Sequence, residues 1–276
     1  MRAPMLFALS ALLALPALAG SRTEQKTLPL KPGGTLTVST ANSPIRVEGW
    51  DQDEVAVTAV IEDSSDNPVR WEMREDGPGL TVEALFPKSV WGIHVGRGPS
   101  CAFTVKVPRK LVGTFTTSND TLAAGGFGGT LSFKTTNDDI TLENLDGAVT
   151  VSTTNGAITA RHLRASLRGG TTNDTLRLED VQGGIDLSTT NSAVVASGLD
   201  GWNQGIALRT TNGDMTIDLG RATGVVQART SRHEEVRVER KGVDLLESGR
   251  GALKVRIPGS EQAIQLSTTN GSITLR

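Results

Sequence analysis

Apolar and polar residues alternate in short runs along nearly the whole chain, and the runs are arranged around a recurring asparagine. Four residues before it stand Val38, Phe115, Phe133, Val151, Leu187, Leu208 and Leu266, and six before it Leu131, Val149, Leu167, Ile185, Ile206 and Ile264. Three after it come Ile45, Leu122, Ile140, Ile158, Leu176, Val194, Met215 and Ile273; five after it come Val47, Ala124, Leu142, Ala160, Leu178, Ala196, Ile217 and Leu275. A spacing of two is the strand period, so each unit predicts two short strands on either side of a corner, with one face inward. Eight after the asparagine, Trp50, Phe127, Leu145, Leu163, Val181 and Leu199 add an apolar position, often with glycine two residues on, as at Gly129, Gly147, Gly183 and Gly201. That position predicts a third side folding under the unit.

The corner asparagines are Asn42, Asn119, Asn137, Asn155, Asn173, Asn191, Asn212 and Asn270, and those from Asn119 to Asn191 are eighteen residues apart. Thr-Thr precedes six of them; Asn42 follows Thr40-Ala41 and Asn119 follows Thr117-Ser118. One strand pair cannot bury its apolar face alone, but a stack of such units can. The prediction is therefore an all-β, single-stranded parallel β-solenoid with coils of about eighteen residues. Like residues stack in columns about 4.8 Å apart. Two reasons suit asparagine to the corner: a side-chain hydrogen-bond ladder along the stack, and tolerance of a left-handed turn conformation. Outward positions agree with the register, since Glu143, Arg161 and Glu179 fall in one column and Arg168 and Asp186 in another. Such exposed pairs contribute only about 0.2 to 1 kcal/mol each, so they report register more than stability.

Both ends depart from regularity. After Asn212 the pattern weakens at Thr230-Ser231-Arg232, passes through Glu235 to Glu239 and recovers at Asn270, which predicts an inserted coil or larger loop. Between Asn42 and Asn119 the predicted strands are longer, Glu54 to Ile61, Val69 to Met73, Leu80 to Phe86 and Cys101 to Val107. Turns at Asp66-Asn67-Pro68, at Gly77-Pro78-Gly79 and in a Gly-rich stretch to Pro99 separate them. The organisation expected is a leader at 1–19, an N-terminal β-region at 20–112 continuous with the solenoid, and solenoid repeats at 113–276.

The leader reading rests on Arg2, the apolar stretch Met5 to Leu15 and the small-x-small pattern Ala17-Leu18-Ala19. That stretch is too short to span a bilayer, and the pattern is that of a signal peptide cleaved after Ala19. Export to the periplasm or the cell surface follows, with no membrane span after cleavage. Composition agrees with many strands and turns: 31 glycines, no tyrosine and 4% aromatics. The net charge of −2 argues against a nucleic-acid partner. Cys101 is the lone cysteine, so no intramolecular disulfide forms, and its alternation with Phe103, Val105 and Val107 places it on a buried face.

Ser-Thr-Thr-Asn-Gly-x-Ile-Thr, complete at Ser152 to Thr159 and Ser267 to Thr274, and the strand-ending Val105-Lys106-Val107-Pro108 together carry a resemblance. The chain is similar, over Leu28 to Arg276, to the "putative adhesin" β-repeat family of exported bacterial proteins, a domain of unknown function. The resemblance implies a β-solenoid at the cell envelope without assigned catalytic residues. The chain departs from that pattern where Ser43, Asp120, Asp138, Asp174 and Ser192 replace the glycine after asparagine.

Those aspartates prompt a catalytic or metal reading. Asn155-Gly156 interrupts the column between Asp138 and Asp174, leaving them about 9.6 Å apart by strand spacing, and turn solvation is the expectation. His94, His162 and His233 share no column, which argues against a histidine metal site, and no cofactor is expected. Gly96-Arg97-Gly98 begins a glycine fingerprint that Cys101 and the strand after it do not complete. A recognition role falls instead on the loop Lys88 to Pro99, with Trp91, His94 and Arg97 as its candidate residues, against the plainer reading of a hairpin whose Trp91 packs on the strands. The function expected is non-catalytic adhesion, binding or scaffolding, with an envelope glycan or protein as partner and self-association through the solenoid ends. The alternative is a β-helix carbohydrate-active enzyme, which requires a carboxylate pair or cationic cluster breaking the repeat on one face.

Overall fold

The period-two alternation around each corner becomes strands whose apolar positions are buried. The computed structural model describes residues 21–63, 68–86, 99–202, 204–231 and 233–276, and the leader reading at 1–19 lies outside them. Among the described residues there are 24 strands, all joined in one sheet, and no helix. The protein is all-β.

Parallel ladders join neighbouring repeats in the alignment read from the sequence. Gly128–Lys134 pairs with Asp146–Ser152 so that Leu131 faces Val149 and Phe133 faces Val151. After the corner, Ile140 faces Leu122 on one side and Ile158 on the other. Leu122, Ile140, Ile158, Leu176 and Val194 are each fully buried, as are Leu145, Leu163, Val181 and Leu199 on the third side. Each such side chain contributes about 1.5–3 kcal/mol when removed from water. Phe115 stacks on Phe133, ring centroids 5.2 Å apart, where the columns place them one above the other. Trp50, at the equivalent of Phe127, is only half-buried and donates its indole N–H to the Glu54 carbonyl at 2.9 Å.

Register fixes the outward charges too. Glu143 and Arg161 are opposite one another, as are Arg161 and Glu179, and the second pair closes an ion pair of 3.2 Å. Arg168 lies opposite Asp186, but Asp186 is bound by Arg209 from the other side, at 2.5 Å.

At both ends the order in space departs from the order in sequence. The strands flanking Asn42, Thr35–Ser39 and Ile45–Trp50, are not terminal: each lies between two parallel partners. The outer partners are Gly79–Leu85 and Ser100–Pro108, and antiparallel strands then cover them: Arg70–Asp76 on the first, Glu54–Glu62 and then Ser21–Pro29 on the second. Near the C-terminus the chain leaves Met215–Ile217, builds Gly224–Arg229 and Val236–Val238 one place further out, and returns to fill the gap with Ala263–Ser267 and Ile273–Leu275. The hairpin Asp244–Gly249 with Ala252–Ile257 closes that side by antiparallel pairing on Gly224–Arg229. The expected choice between an extra coil and a larger loop thus resolves into both. Antiparallel strands thus cover Gly79–Leu85, Ser100–Pro108 and Gly224–Arg229, edges that would otherwise be templates for unwanted pairing, whereas Val236–Val238 has a ladder on one side only among the described residues.

Candidate recognition surface

The corner asparagines form an exposed edge. Asn119 Nδ2 donates to Asn42 Oδ1 at 2.5 Å, Asn137 to Asn119 at 2.5 Å and Asn155 to Asn137 at 2.7 Å. The chain of amides continues through Asn173, Asn191 and Asn212 to Asn270, at 2.7–2.8 Å. None of these asparagines has a positive φ, so the left-handed reason for choosing asparagine does not apply here.

Beneath them runs a buried threonine row. Thr117, Thr135, Thr153, Thr171, Thr189, Thr210 and Thr268 each donate their hydroxyl to the carbonyl of the residue after the neighbouring asparagine, over 2.8–3.1 Å. Thr230 does the same to Gly271, so the weakened Thr230-Ser231-Arg232 stretch keeps the corner chemistry without its asparagine. Asp120, Asp138 and Asp174 accept from the backbone N–H of the residue that follows each. Asp139 accepts from Ala157 N. These carboxylates serve turns.

A second corner, seven residues after each asparagine from Asn119 to Asn191, holds left-handed positions. Gly126, Asn144, His162, Asp180 and Gly198 occupy it in successive repeats with φ of 80°, 52°, 53°, 50° and 65°. Glycine reaches this region freely; asparagine, aspartate and histidine are the side chains that tolerate it best. His162 Nδ1 lies 3.3 Å from Asp180 Oδ2, and Gln182 Nε2 donates to Asp180 Oδ1 at 3.2 Å. The hydrogen bond from His162, and then that from Gln182, hold the Asp180 carboxyl below the usual carboxylate range. His162 stands in a column with Asn144 and Asp180.

The repeat breaks once within the array. Asn191 and Asn212 are 21 residues apart instead of eighteen, and the pairing offset changes from 18 at Gln182–Asp200 to 21 at Ile185–Ile206, so the excess falls between Asp200 and Ile206. Gln204 N donates to Gly201 O at 2.7 Å, closing a turn in which Trp202 takes φ 45° and stands 46% exposed. A bulky side chain in that backbone region is an outlier. The turn carries Gln204 over Gly184, where its Oε1 accepts from Ser166 at 2.9 Å. Beside it lies a trough of about 370 Å³. Gly184, Gly205, Ala207 and Ala263 leave its floor low, and Arg168, Asp186 and Gln265 stand along it. Sequence reasoning missed this site, although the 21-residue spacing and Trp202 were its visible signals. Trp91, His94 and Arg97 lie outside the described residues.

No protein-family model and no curated protein sequence matches the chain. Among solved structures it is similar to a "putative cell adhesion protein" from Clostridium sporogenes, with 11% identity, 92% of this chain and 99% of that chain covered, and a TM-score of 0.29. A "putative adhesin" from Parabacteroides merdae shares 8% identity over 92% of this chain and 96% of that chain, with a TM-score of 0.38. A "putative lipid binding protein" from Parabacteroides distasonis shares 13% over 92% and 96%, with a TM-score of 0.30.

Proposed function

We propose that the chain, freed of residues 1–19 on export, is wound as a parallel β-solenoid and serves at the cell envelope as a non-catalytic binding protein for a glycan. The offset of eighteen residues between parallel partners supports the winding. Under this reading 20–112 supplies one covered end and 113–276 the repeated body. The observation that carries the binding role is the three-residue excess between Asn191 and Asn212, whose turn leaves Trp202 46% exposed and sets Gln204, two residues on, in the lining of a polar trough. Tryptophan on a rigid frame offers a flat apolar surface and a polar edge at small entropic cost, which suits the alternating C–H and hydroxyl faces of a sugar.

The test is retention of purified residues 20–276 on envelope polysaccharide. Trp202→Ala should abolish retention while leaving the urea midpoint unchanged. Full retention by that variant would remove the surface from consideration, and release of soluble sugar fragments by the unmodified protein would overturn the non-catalytic reading. Self-association through the ends belongs to the same proposal, because Leu245 and Leu246 in the outer strand Asp244–Gly249 are 64% and 45% exposed. Sedimentation should show a smaller species after Leu245→Lys with Leu246→Lys; an unchanged mass would exclude that strand as the contact.

A further inference from the structure

We infer that the trough selects a saccharide bearing a carboxylate, held on Arg168, with a sugar ring laid against Trp202. The inference rests on the glycan-binding reading above and adds the ligand's charge and the residue that reads it.

Arg168, Asp186, Ala207 and Gln265 occupy the same outward position on four adjacent strands. At about 4.8 Å per strand this row is about 14 Å long. Asp186 is satisfied by Arg209 at 2.5 Å, so the two form a neutral pair. Arg168 lines the trough, and among the described residues it has no hydrogen bond or ion pair. Arg168, Asp186 and Arg209 therefore sum to one positive charge, and the guanidinium that carries it is free.

A free guanidinium presents a planar fork of donors that matches a carboxylate in two parallel hydrogen bonds. Neutral hydroxyls cannot use that fork as fully, since they bring no charge. The remaining polar groups fit a sugar's ring substituents: the Gln265 amide lines the trough, and the Gln204 amide is steadied there by Ser166. Ala207 and Ala263 between them leave room where larger outward side chains would block a ring. Trp202 is held out by the same turn that brings Gln204 in. The asymmetry of the trough, cationic at Arg168 and uncharged at Gln265, also gives a bound chain a direction.

The experiment uses residues 20–276 on a printed array spanning uronate-bearing, sialate-bearing and neutral glycans, followed by titration of the strongest acidic ligand and its carboxyl methyl ester. The expected result is retention of acidic glycans, with the free acid binding about 10- to 100-fold more tightly than its ester, as charge-assisted hydrogen bonds give. Arg168→Gln should equalise acid and ester, Arg168→Lys should restore part of the difference, and Trp202→Ala should weaken both alike. Equal binding of neutral and acidic glycans, or a preference for acid that survives Arg168→Gln, overturns the inference while the glycan reading stands. Binding to no glycan on the array overturns both.

Discussion

Replacing Thr153 with valine separates the contribution of the buried threonine row from that of the apolar core. The Thr153 hydroxyl, 5% exposed, donates to the Asp138 carbonyl at 3.1 Å and receives the Gly156 N–H at 3.4 Å. Valine has nearly the same shape, so the core stays filled while one carbonyl and one N–H lose a partner. Leaving such groups unsatisfied costs about 1–3 kcal/mol, and the added methyl returns at most about 0.8 kcal/mol. The net expectation is a loss of about 1–2 kcal/mol. Thr40 supplies the control: it is 8% exposed, and its hydroxyl has no partner among the described residues. Thr40→Val removes a buried hydroxyl that gains nothing, and should stabilise by about 1 kcal/mol. Urea unfolding followed by tryptophan fluorescence and far-UV circular dichroism reads both, with the denaturant slope unchanged. Equal effects at the two positions, or stabilisation by Thr153→Val, would refute the claim that these hydroxyls tie neighbouring repeats together.

Asn155→Leu should cost about 1–2 kcal/mol and Asn42→Leu about half as much, because Asn155 makes two amide bonds in the ladder and Asn42 one, all of them exposed; equal losses in urea would deny the ladder a role. Gly156→Asp should destabilise by several kcal/mol although aspartate is present at 138 and 174, since an added Cβ meets the Asp138 carbonyl oxygen at 1.9 Å, a backbone atom with no freedom to yield. A thermal midpoint equal to that of the unmodified protein would show that the corners are interchangeable. The Asp180 carboxyl is held low chiefly by His162, so the stability it contributes is present above the ordinary carboxylate range and lost as pH falls through its depressed value. In His162→Ala the Asp180 resonance should titrate at higher pH; an unshifted titration contradicts that assignment.

The periodicity was enough to read the inward faces, because burial and the strand period leave one solution for Leu122, Ile140 and Ile158 or for Phe115 and Phe133. It did not reveal which strands are neighbours at the ends. Thr35–Ser39 accepts Gly79–Leu85 or Lys110–Thr116 equally well on pattern alone, and only the closed set of backbone hydrogen bonds decides that it takes both. The second corner was hidden for another reason: Gly126, Asn144, His162, Asp180 and Gly198 share no size, charge or hydropathy, only tolerance of a positive φ. The proposed recognition surface depends on what a three-residue excess does in space. Its length was countable in the sequence, but the exposure of Trp202 and the low floor of Gly184, Gly205 and Ala207 come from the local backbone and from the pairing of Ile185–Ser188 with Ile206–Arg209.

The winding is tested most directly by an engineered disulfide. In a Cys101→Ser background, Glu143→Cys and Arg161→Cys place two thiols on positions directly opposite in a parallel ladder, about 4.8 Å apart, within the reach of a disulfide. This pair should oxidise within one chain, and Thr141→Cys with Arg161→Cys, a diagonal pair two residues out of register, should oxidise far less. Efficient closure of the diagonal pair beside failure of the direct one would contradict the eighteen-residue register on which the whole reading stands.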